Sequence, residues 1–138
     1  MKSVSLTFAV GLALLAALGA NAQSAFLRVG NKVGDYWIFR FAGKTVNVRF
    51  DVDHRMQKDS DREMNLADID FSSLPADPAQ AVFRPQGGNL AKIRLICKQE
   101  TPNCVYSHFD TDTHERELDI LCEREADCVA FVQALPRP

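Results

Sequence analysis

From His108 to Glu115 the chain reads His-Phe-Asp-Thr-Asp-Thr-His-Glu, with a side chain able to ligate a metal at every second position. In an extended strand His108, Asp110, Asp112 and His114 share one face, because side chains alternate across a strand. If the segment is the tip of a hairpin, Asp110 to Asp112 make the turn and His108 returns beside His114. Either geometry gathers imidazoles and carboxylates, a donor set that suits zinc, copper or nickel. The competing reading is a polar hairpin tip, since Asp and Thr side chains in tight turns ordinarily hydrogen-bond their own backbone. An earlier acidic stretch, Asp59 to Asp70, spaces oxygen atoms somewhat as an EF-hand loop does. Met64 stands where that loop's sharp turn needs glycine, so calcium is not expected there.

Other chemistry is thinly represented. The chain contains no G-x-S-x-G, H-E-x-x-H, P-loop or dinucleotide fingerprint. Its 16 basic residues are interleaved with 18 acidic ones, for a net charge of -2. Binding of nucleic acid requires a positive stripe that neutralises several phosphates, and the sequence offers none. An enzyme is therefore not the leading expectation, and no cofactor is expected beyond a divalent metal at the histidine and aspartate stretch.

The four cysteines, Cys97, Cys104, Cys122 and Cys128, all lie in the last third of the chain. No C-x-x-C occurs, and the spacings are wider than the close pairs of structural zinc sites, so two disulfides are the expectation. Chain entropy separates the three connectivities poorly: the short loops contribute roughly 2.5 kcal/mol each and the longer ones roughly 3.5. Geometry separates them better. Gln99 to Asn103 is turn-like and folds Cys97 back opposite Cys104, which leaves Cys122 to close onto Cys128.

Disulfides fit the N-terminus. Lys2 precedes an apolar run from Leu6 to Leu18, shorter than the roughly 20 residues a spanning helix needs. The run ends in Ala20-Asn21-Ala22, small residues at the positions a signal peptidase reads. Residues 1–22 are thus expected to be a cleaved secretory signal, leaving 23–138 as a single disulfide-stabilised domain that is periplasmic or extracellular. No later apolar run reaches membrane length, so stable membrane insertion is not expected.

The elements that must position these residues are mostly strands. Val46 to Asp53 alternates apolar and polar residues without a break, the period of a half-buried strand. Tyr36 to Phe41 precedes it across the turn Ala42-Gly43-Lys44, which predicts a hairpin with Trp37 in the core. Residues 60–71 are ambiguous: Ser60 to Glu63 resembles a capping box, while Asn65 to Phe71 could be a strand burying Ala67, Ile69 and Phe71. A second hairpin is expected from Ala81–Arg84, a turn at Pro85–Asn89, and Leu90–Cys97, with Val105–Phe109 returning antiparallel to it. Glu117–Cys122 turns Leu118, Ile120 and Cys122 inward. Its apolar pattern echoes Ile93–Lys98, with opposite charges at equivalent places. A helix from about Asp127 to Leu135 presents Cys128, Phe131, Val132 and Leu135 on one face, capped by Asp127 and stopped by Pro136.

The fold class is mainly β (α+β): a small antiparallel sheet, curled barrel or sandwich, with one C-terminal amphipathic helix. In element order this resembles pleckstrin-homology-like domains, small barrels capped by a terminal helix. Taken together, the sequence points to a small exported soluble binding protein of the cell envelope, an inhibitor, immunity-type protein or accessory subunit whose partner is another protein. The alternative is a divalent-metal-binding protein using the cluster at 108–114.

Overall fold

A computed structural model describes residues 24–30, 35–52, 55–56, 62–108 and 112–137. The expected signal segment 1–22 lies outside the described residues, as do Asp59 to Asp61 and Asp110. In chain order the strands are β1 (Ala25–Gly30), β2 (Tyr36–Ala42), β3 (Thr45–Val52), β4 (Arg55–Met56), β5 (Arg62–Asn65), β6 (Ala91–Ile96), β7 (Val105–Ser107), β8 (Thr113–Glu115) and β9 (Glu117–Cys122), followed by helix α1 (Glu125–Ala134). The strands form a seven-stranded sheet in the order β1-β2-β3-β5-β7-β8, with β4 also on β3, and a two-stranded sheet of β6 and β9. Every pairing is antiparallel. The architecture is mainly antiparallel β with one C-terminal helix, and the described strands do not close into a barrel.

The β2-β3 hairpin forms where alternation predicts it. Ala42 pairs with Thr45 across Gly43-Lys44, and Gly43 has φ 62°, a conformation that only glycine adopts cheaply. Val46 and Val48 then point into the core opposite Phe41 and Phe39. Trp37 is only partly buried; it sits on the core face at the sheet's end, its ring 4.7 Å from that of Phe50. The alternation in β1 is masked in sequence by Phe26. Leu27 and Val29 are buried, whereas Phe26 points outward and is 58% exposed.

Residues 62–73 follow neither expectation. Arg62–Asn65 is a strand because Met64 fits between Val46 and Val105, completing an apolar row across three strands. Asn65 then accepts from the Ala67 amide and starts a 3-10 turn at Leu66–Asp68, and Asp70 starts another at Phe71–Ser73. Ile69 is buried as expected, but Ala67 is exposed and Phe71 only partly covered.

The expected pairing of Val105–Phe109 with the strand ending at Cys97 is also corrected. β7 joins β5 and β8, and β6 pairs with β9 instead. On β9, Cys122, Ile120 and Leu118 lie opposite Ala91, Ile93 and Leu95, so three fully apolar pairs are buried. Arg94 falls opposite Asp119, with Nε donating to Oδ1 at 2.8 Å. The echo between the two segments is thus the complementarity of partners. Of the second hairpin the arm expected at Leu90–Cys97 forms as β6, whereas the arm expected at Ala81–Arg84 is reduced to the antiparallel bridge of Phe83 to Lys92 after a 3-10 turn at Pro78–Ala81.

Both disulfides take the expected pairing, Cys97 with Cys104 and Cys122 with Cys128, each with a Cα separation of 5.7 Å. The second ties β9 to the first turn of α1. That helix begins two residues earlier than expected, and Asp127 does not cap it. Arg124 occupies the cap position, and its guanidinium holds the Asp127 carboxylate at 2.8 and 2.9 Å. Cys128, Phe131, Val132 and Leu135 are buried as predicted, where α1 packs on β1, β6 and β9.

Candidate functional site

The strands on either side of the histidine stretch, β7 and β8, pair antiparallel. Tyr106 on β7 lies opposite His114 on β8, and Ser107 lies opposite Thr113. His108 and His114 therefore arrive from opposite arms, and the single-strand arrangement does not occur. What brings them together is Tyr106, absent from the candidate set. Its ring meets that of His108 edge-on at 4.0 Å and that of His114 at 5.0 Å. Asp112 sits close by, with Oδ1 3.9 Å from His108 Nδ1. A hydrogen bond to the Asp112 carboxylate, followed by slight burial and the negative charges of Asp112 and Glu63, raises the Tyr106 pKa above its ordinary value. Asp110 lies outside the described residues, and among those described no three His, Cys, Asp or Glu side chains converge as metal ligands do. In the earlier acidic stretch, Asp70 is occupied by the amide of Ser72, and Glu63 lies on β5.

A different set of residues makes an organised surface on the main sheet. Strand alternation sends Leu27, Val29, Phe39, Phe41, Val46 and Val48 into the core, and the register sends their neighbours to the opposite face of β1, β2 and β3. On that outer face Arg28, Ile38 and Arg49 form one cross-strand row, and Phe26, Arg40 and Asn47 form the next. Aromatic rings support two of the cations. The Arg28 guanidinium lies 3.7 Å from the centroid of Tyr36, and that of Arg40 lies 5.9 Å from Phe26. The Tyr36 ring in turn covers Gly30, occupying the space a Cβ would need there.

Ile38 is the anomaly of this face. It points away from the core and yet is only 5% exposed. It lines a small pocket of about 80 Å³ together with Arg40, Asn47 and Arg49. The helix leaves this face open, since α1 packs at the β1, β6 and β9 end of the molecule. Sequence reasoning missed the cluster because the arginines are far apart in the chain. The signal was there in part: Arg49 occupies a polar position of the alternating run that forms β3. What joined it to Arg40 was the register fixed by the Gly43-Lys44 turn, and Arg28 lay on a strand whose alternation was masked.

Chemically, the outer face can bind and orient anions, but it holds no nucleophile with an adjacent base. Comparison with known proteins gives no family, for no family model, curated protein or solved structure matches the chain.

Proposed function

We propose that the chain is a small exported protein-binding module of the cell envelope, of the inhibitor, immunity-type or accessory-subunit kind, and that it engages its partner through the outer face of β1, β2 and β3. The observation that carries this reading is that face itself: arginines and aromatic rings on paired strands, left open by the helix. Arginine and aromatic side chains are the types enriched at the energetic centres of protein interfaces. Export is supported by the signal-like features of residues 1–22 and by the two disulfides, which form and persist in oxidising compartments.

The test is site-directed photo-crosslinking in the native cell envelope. A photoreactive residue at position 26 should give a discrete adduct that disappears in an Arg40→Gln, Arg49→Gln background, whereas the same probe at Lys98, on the loop after β6, should give none. Absence of an adduct at 26, or adducts at 98 alone, would contradict the reading.

A second reading, divalent-metal binding by His108, Asp110, Asp112 and His114, is favoured by the meeting of both imidazoles on Tyr106. Every such ligand must be deprotonated and held by supporting hydrogen bonds. Titration with zinc at neutral pH separates the two readings. The binding-module account expects nothing tighter than about micromolar at this exposed tip. Stoichiometric, His114-dependent binding well below that would promote the metal reading.

A further inference from the structure

We propose that Arg40 and Arg49 form a carboxylate-binding pocket, and that the part of the partner that docks on the sheet is an acidic segment whose Asp or Glu side chain enters it. This rests on the assignment of the outer face as the partner surface.

The geometry begins with register. Arg40 pairs with Asn47, and Arg49 lies two residues further along β3, opposite Ile38. Diagonal neighbours of this kind have Cα atoms roughly 7 to 8 Å apart, a span across which two guanidiniums can reach one planar anion once Arg40 swings from the Phe26 ring toward β3. The pocket that both line, about 80 Å³, is large enough to admit a carboxylate. Its floor is Ile38, shielded from water on a face that otherwise carries polar side chains. An apolar floor weakens solvent screening above it and offers a contact for the methylene groups that carry a side-chain carboxylate.

The charge pattern points the same way. Four arginines elsewhere are matched within the chain: Arg62 with Glu115, Arg84 with Glu125, Arg94 with Glu117 and Asp119, and Arg124 with Asp127. Among the described residues Arg40 and Arg49 have no such carboxylate. In a chain with more acidic than basic residues, two adjacent arginines without an internal counterion hold an open place for one. Phe26 and Tyr36 flank the row and supply apolar surface for the backbone and neighbouring side chains of a bound segment. Inorganic phosphate shares the charge but has no methylene group to use the Ile38 floor.

The test uses the disulfide-bonded protein and a fluorescent peptide with two glutamates among alanines, its glutamine counterpart, and inorganic phosphate. The glutamate peptide should bind at least about tenfold more tightly than the glutamine one, weaken as salt is added, and lose about tenfold or more in Arg40→Gln and in Arg49→Gln. In the unsubstituted protein, the Ile38 methyl NMR signals should shift on addition of the glutamate peptide, a readout that needs no variant to fold. Equal binding of both peptides, insensitivity to both substitutions, or Ile38 signals that move with phosphate alone would overturn the proposal. Crosslinking at position 26 that persists alongside a negative peptide result would refute the carboxylate pocket and leave the binding-module reading standing.

Discussion

Tyr106 links the two histidines of the β7-β8 tip, and its pKa is raised first by the hydrogen bond to Asp112. The phenol donates that bond only while protonated, and the neighbouring negative charge disfavours the phenolate, so both effects act upward. Whatever stability the contact supplies is present below tyrosine's ordinary pKa and is lost as pH rises through the raised value. In a Tyr36→Phe background, which leaves one tyrosine, ultraviolet absorbance should show Tyr106 ionising at higher pH than in the same protein carrying Asp112→Ala. Identical titration curves would mean that the hydrogen bond does not persist in solution. At this scale the sequence was informative about pairs close in the chain: His108 with His114 and the two cysteine pairs all depend on a single local turn. Tyr106 and the outer-face arginines were not legible, because their neighbours are set by cross-strand register.

At the scale of elements, strong alternation and helical spacing were legible and mixed signals were not. β3 and the buried face of α1 followed from period, and the β2-β3 hairpin from that period with the aromatic run and turn before it, whereas residues 62–73 alternate between strand and 3-10 turn every few positions, too quickly for either period to register. β6 found its partner through matched charge and apolar content with β9, a long-range choice that nearest-neighbour reasoning assigned to β7. The helix provides the clearest energetic check. Phe131 is 2% exposed and packs where α1 meets the strands, so Phe131→Ala should cost about 3 to 5 kcal/mol in denaturant unfolding. A loss below about 0.5 kcal/mol, the range of ordinary surface positions, would place that face of α1 in solvent.

For the whole molecule, the two disulfides and the N-terminal segment argue for the same compartment by independent routes. The exported form should begin at Gln23, so its intact mass should lack Met1 to Ala22; a secreted species that retains them would contradict cleavage. No described helix is long and apolar enough to cross a membrane, and the core gathers where the main sheet, the β6-β9 pair and α1 meet. Among the described residues that arrangement places no covering layer on one side of β1, β2 and β3, and the account of function stands on that side. The most direct measurement is the affinity of the crosslinked partner, once identified, for the protein and for its Arg40→Gln, Arg49→Gln form, with unfolding followed in parallel. Both substitutions lie outside the core, so stability should change by no more than about 0.5 kcal/mol. The account predicts a loss of affinity of about a hundredfold or more with the fold intact; unchanged affinity in a folded double variant would contradict it.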